Sequence, residues 1–180
     1  MTVEQRRVHD LIVSGPRGAV VGPLRVWLTS PAMAEKAQAL GQYVRYDSVL
    51  PRHLSELAIL VTARIWSSGF EWSHHAPIAR EARVPWGAVD AIGLGERAEF
   101  EDPRMAAVFA YAVELQRDRA VGDATHAAAL QALGEQGVVD LVAICGYYGF
   151  ISMTINAFGV PDGYGPKLPS IALPAAEMFR

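Results

Sequence analysis

The chain has a single cysteine, Cys145, among its 180 residues. An internal disulfide and a dithiol redox cycle within one chain are both excluded, and a cysteine-built metal site is not expected. Lysine is nearly missing, with 14 Arg against 2 Lys. The formal net charge of −3 leaves no basic surplus, so no nucleic-acid partner is expected. No segment alternates in strand fashion, and there is no glycine-rich phosphate loop. Met1 to Asp10 is polar and lacks the apolar run of a secretory leader, so a cytoplasmic protein is expected. Val138 to Phe158 is strongly apolar, but Asp140, Gly146, Tyr147, Tyr148, Gly149, Ser152, Thr154 and Asn156 interrupt it. The uninterrupted part falls short of the roughly 18 to 20 residues a membrane span needs. It reads as a core helix or a subunit interface, and no membrane contact is expected.

What is present is apolar and helical. Apolar residues make up 51% and charged residues 19%, enough for a core. Thr2 and Gln5 form a capping-box pattern for a helix to about Val13, closed by Ser14 to Gly18. Val20 to Leu28 reads as an apolar loop packed on the core. Ser30-Pro31 opens a helix to about Tyr46, with Met33, Ala37, Leu40 and Val44 on its buried face. Pro51 opens the next, whose stripe is Leu54, Leu57, Ala58, Val61 and Ile65. Glu56 lies beside that stripe, an unusual place for a carboxylate.

Phe70 to Ala82 reads as a helix that either starts near Ser73 or kinks at Pro77. Pro85 to Ile92 and a helix from Asp102-Pro103 follow. Asp123 opens an alanine-rich helix to about Gly134, and a long apolar helix runs from Gly137 to Phe158. The expected fold is all-α, about seven or eight helices in one domain over residues 1–158. The proline-rich tail, 159–180, is expected to be irregular and to pack on the domain or a neighbouring subunit.

Glu71, His74 and His75 carry the clearest chemistry. On a helix, Glu71 and His75 are one turn apart on one face. A carboxylate beside an imidazole orients it and raises its pKa, giving a general acid or base near neutral pH. The same spacing suits a surface salt bridge or a hydrogen-bonded core histidine. Trp66, Phe70 and Trp72 are placed to surround the pair. No metal is expected: Phe70 stands where a His-Glu-x-x-His signature needs its first histidine. A Ser-His hydrolase lacks its G-x-S-x-G elbow, although Ser67, Ser68 and Ser73 lie nearby. Cys145 reads as an inert core residue.

Two segments, Leu54-Ser55-Glu56-Leu57-Ala58-Ile59-Leu60 and Phe70-Glu71-Trp72-Ser73-His74-His75, resemble the carboxymuconolactone decarboxylase family. Its superfamily also contains the AhpD alkyl hydroperoxidases. Met153 to Phe158, with Asn156, resembles the family's late Asn-containing helix. The resemblance spans about residues 51–158. Glu56 and His75 match the peroxidase branch's Glu and His, whereas its two cysteines fall on Ser68 and Glu71. The decarboxylase branch's Glu-x-x-x-His is met by Glu71 and His75.

The resemblance implies an all-α bundle assembling as trimers or larger homo-oligomers, and the apolar helix 137–158 with the apolar residues of the tail predicts a dimer, trimer or hexamer. It implies a cofactor-independent lyase or isomerase acting on a small unsaturated carboxylic acid or lactone. His75, Glu71 and Glu56 would be catalytic, and Trp66, Trp72, Ser68, His74, Arg64 and Asn156 would bind substrate. Arg64 or Arg52 would hold a substrate carboxylate. A small-molecule binder without chemistry is the alternative. Hydroperoxidase activity is disfavoured because both thiols are missing.

Overall fold

The computed structural model describes residues 1–180, and the chain is an all-α bundle of eight α-helices without a strand. They are α1 (Val3–Ser14), α2 (Pro23–Trp27), α3 (Pro31–Gln42), α4 (Arg52–Ile65), α5 (Gly69–Glu81), α6 (Trp86–Leu94), α7 (Pro103–Val113) and α8 (Asp123–Phe158). π-Helical turns at Tyr43–Asp47 and Glu114–Asp118 extend α3 and α7. The capping box forms as the pattern predicts: Thr2 Oγ1 accepts from the Gln5 amide, and Gln5 Oε1 accepts from the Thr2 amide.

α4 is the axis of the bundle. Every residue from Leu54 to Arg64 is buried, because α5, α6, α7 and α8 surround it. Burial therefore runs right round α4, while Ile65, expected in its stripe, is only half-buried. Glu56, Thr62 and Arg64 enter the core with this helix and must find partners there. Thr62 Oγ1 donates to the Ala58 carbonyl at 2.9 Å, one turn back.

Several local features differ from the sequence pattern. The apolar segment after Val20 is not all loop: Pro23 starts the short helix α2 after Gly22, whose φ is 52°. Gly22 has to be glycine, since a Cβ there would lie 2.3 Å from the Phe70 ring. On α3 the buried positions are Ala34, Gln38 and Gly41, and Leu40 is exposed. The face is rotated because Gly41 lies directly against the Tyr147 ring of α8, where no side chain would fit. α5 does not start at Ser73: it runs from Gly69 to Glu81 with Pro77 inside it. Pro77 leaves the Ser73 carbonyl without its helical donor, and the tail passes over that point. The Gly163 amide donates to Ser73 Oγ at 3.0 Å, and a side chain at Gly165 would collide with the Ser73 carbonyl.

α8 contains a break at Gly134, with φ 73° and ψ 171°, so the two helices expected from sequence meet there end to end. By length and composition alone α8 would be long enough to cross a membrane, but 67% of its most apolar window is buried inside the fold. Asp140 is buried within it and accepts from Tyr43 Oη, Ser48 Oγ and the Val49 amide at 2.8–3.0 Å. That network fastens the π-helical turn Tyr43–Asp47 to α8.

The tail returns over its own chain. Arg64 Nη1 donates to the carbonyls of Gly93 and Pro169 at 3.1 and 2.8 Å. Met178 and Phe179 enter the core, where the Phe179 ring meets Phe109 edge-on at 5.6 Å and its amide donates to the Gly95 carbonyl.

Candidate active site

Three helical facts build the site. α4 carries Glu56 into the interior. Ser67, with φ 49°, and Ser68 turn the chain from α4 into α5. Glu71 then falls in the first turn of α5, where the helix dipole favours a carboxylate, and His75 follows one turn later.

His75 lies between the two carboxylates. Its Nδ1 donates to Glu56 Oε2 at 2.7 Å, and its Nε2 is 3.3 Å from Glu71 Oε2. All three side chains are at most 5% exposed. The Tyr148 ring of α8 meets the imidazole edge-on at 5.0 Å. Burial alone pushes the imidazole pKa down. The charge and hydrogen bond of Glu56, joined by Glu71, outweigh it and raise His75 to about 9. At neutral pH the group is an imidazolium: a proton donor held by one carboxylate and facing another.

Next to Glu71 and His75 is a cavity of about 40 Å³. That holds ~3 water-sized groups, the size of a carboxylate head, and the cavity is open to solvent beyond them. Phe70, Leu24, Ile151 and Tyr148 form its apolar wall, and Arg17 and Arg45 face it with His74. His74 Nε2 accepts from Arg45 Nη2 at 3.0 Å. Desolvation, then the charges of His75 and Arg45, holds His74 below its ordinary pKa, so it remains a neutral acceptor. On the far side of Glu56 is a wider cleft of about 430 Å³, bordered by Arg45, Arg52 and Ser55. Glu56 lines this wider cleft, and Arg45 borders both spaces.

The structure brings Glu56, Glu71, His74 and His75 together. Of the other residues singled out from sequence, Phe70 lines the cavity and the following lie elsewhere. Trp72 packs on Gly93, and Trp66 Nε1 donates to Gln116 Oε1 at 3.1 Å. Asn156 Nδ2 donates to the Trp66 carbonyl at 2.8 Å. Arg64 holds the tail, and the Ser68 hydroxyl is buried without a partner. The aromatic enclosure comes from Phe70 and Tyr148. Glu56, which the resemblance marks as catalytic, contacts His75 directly.

Arg17 and Arg45 carry no signal in local spacing. Arg17 sits in the turn after α1 and Arg45 in a π-helical turn, a feature that recurs at functional sites. Cys145 is fully buried, and desolvation pushes its thiol up to about 12. Comparison with known proteins found no family model and no curated protein that matches the chain.

Proposed function

We propose that this protein is a cofactor-independent carboxy-lyase or isomerase acting on a small unsaturated carboxylic acid or lactone, similar to the carboxymuconolactone decarboxylase family. The observation that carries this reading is His75, buried as an imidazolium between Glu56 and Glu71 at the wall of a cavity. Buried titratable groups with shifted pKa values, convergent on a cavity, are what acid-base catalysis requires.

In the decarboxylating direction, the bond between the substrate carbon and its carboxylate breaks and CO₂ leaves. The electron pair passes into the conjugated carbonyl as a dienolate. His75 delivers its proton to carbon, and the neutral imidazole regains a proton from water. Glu56 fixes the ring and stabilises its charged form. Glu71 lines the cavity beside His75 and guides the proton. Such general acid catalysis contributes about 10²- to 10⁴-fold.

Cys145 supports no thiol peroxidase chemistry, being buried, strongly protonated and without a second thiol. The working form is a cytoplasmic homo-oligomer. Val139, Val142, Phe150 and Met153 support this, forming an exposed apolar stripe along α8 that suits a subunit contact. The test is a screen of unsaturated lactones and keto acids with purified protein, comparing wild type with Glu71→Gln. Consumption that Glu71→Gln abolishes supports the reading, and full turnover in that variant contradicts it.

A further inference from the structure

Four arginine side chains of this protein form ion pairs with carboxylates: Arg7, Arg80, Arg104 and Arg117. Arg17 and Arg45 have no carboxylate within 4.0 Å, although both border the cavity that contains Glu71 and His75. Their hydrogen-bond partners are neutral. Arg17 Nη2 donates to Tyr147 Oη at 3.2 Å, and Arg45 Nη2 donates to His74 Nε2 at 3.0 Å. Arg17 Nε is buried with no acceptor at all. A buried donor of this kind destabilises the fold unless something accepts from it.

The charges around the cavity do not balance. Glu56 and Glu71 oppose an imidazolium and two guanidiniums, which leaves one positive charge without a counter-ion. Inside a protein that surplus favours an anion of one charge. A guanidinium presents parallel donors that match the two oxygens of a carboxylate. Inorganic phosphate at neutral pH is a mixture of singly and doubly charged forms, and the second charge would meet the Glu71 carboxylate in the same small space. The apolar wall of Phe70, Leu24 and Ile151 suits a carbon chain behind the charged head.

We infer that Arg17 and Arg45 form a binding site for a single carboxylate, placing the attached conjugated carbons against Glu71 and His75. The inference rests on the proposed function for what happens to those carbons, but not for the binding. It replaces Arg64 and Arg52 as carboxylate holders: Arg64 is committed to backbone carbonyls, and Arg52 borders the other cleft. It also gives the turn after α1, outside the span of the resemblance, a role in specificity.

The experiment is a titration of the full-length protein at pH 7, followed by NMR of the His75 ring and the arginine Nε–H signals. The probes are crotonate, its neutral isostere crotonamide, and inorganic phosphate. Crotonate is expected to saturate and to shift the Arg17 Nε–H signal. Crotonamide and phosphate are expected to bind at least about tenfold more weakly, as loss of a charge-assisted pair implies. Arg17→Gln and Arg45→Gln should each weaken crotonate about tenfold and leave crotonamide unchanged. The probe comparison in wild type holds even if a variant fails to fold. Equal binding of crotonate and crotonamide, tighter binding of phosphate, or no saturation by crotonate would each overturn the assignment. Binding is read without turnover. A saturable crotonate site in a protein that converts nothing would therefore uphold the site and remove only the proposed reaction.

Discussion

Glu56 Oε2 and His75 Nδ1 meet at 2.7 Å across the contact between α4 and α5, with both side chains almost fully buried. An ion pair so far from water is costly to form and more costly to break, since loss of one partner strands the other charge. The pair therefore has two roles: it joins two helices and keeps the imidazole charged.

The charged state has a signature in pH. The His75 pKa is raised above its ordinary value, to about 9 in the folded protein. A raised pKa means that the folded state holds its proton more tightly than the unfolded chain. Its contribution is complete below about pH 6.5 and is lost as pH rises through about 9, by roughly 3 kcal/mol in all. Thermal unfolding at intervals from pH 6 to 10 should show Tm falling across that window, and the fall should be absent in His75→Asn. Ring NMR of wild type should place the titration well above 7.

Glu56→Gln removes the charge that supports the imidazolium and keeps the shape. The His75 titration is expected to move down by more than one unit. Stability at pH 7 is expected to drop by about 2–4 kcal/mol, since a buried pair has lost one partner. Urea denaturation with NMR titration checks both. An unchanged His75 pKa would show that Glu71 alone suffices.

Asp140 is a structural counterpart to this cluster. It takes three donors from Tyr43, Ser48 and Val49 while buried in α8. Asp140→Ala leaves all three without an acceptor and is expected to destabilise by about 2–4 kcal/mol in chemical denaturation. It also frees the π-helical turn that carries Arg45, so crotonate binding should weaken with it.

Cys145 is expected to resist a thiol-reactive dye at pH 7.5 in the native state and to react fully in denaturant. Its burial and a pKa near 12 keep thiolate scarce. Rapid labelling of the folded protein would contradict this, as would hydroperoxide consumption that vanishes in Cys145→Ser.

The sequence made the helices legible because their punctuation is chemical: a capping box at Thr2, Asp102 before Pro103, and glycine at 134. The spacing of Glu71 and His75 announced their shared face for the same reason. Glu56 was visible only as a carboxylate beside an apolar stripe and through the resemblance. Its contact with His75 joins residues 19 apart, across two helices. Trp72 adjoins Glu71 in sequence, but one helical step turns a side chain by about 100°. It therefore meets Gly93 on α6. Arg17 and Arg45 were hidden because only tertiary folding brings a turn after α1 and a π-helical turn to the same cavity. α2 was hidden because its five residues depend on Gly22 and on burial of Trp27, not on an amphipathic repeat.

In the proposed reaction His75 supplies a proton to substrate carbon. The most direct test compares wild type and His75→Asn on any lactone or keto acid the wild type consumes, with product analysed by NMR in D₂O. The rate is expected to be at least about 10²-fold lower in the variant. Deuterium is expected at one product carbon in wild type, with the rate falling as pH rises through about 9. Wild-type turnover by His75→Asn, with the same deuterium pattern, would contradict that role.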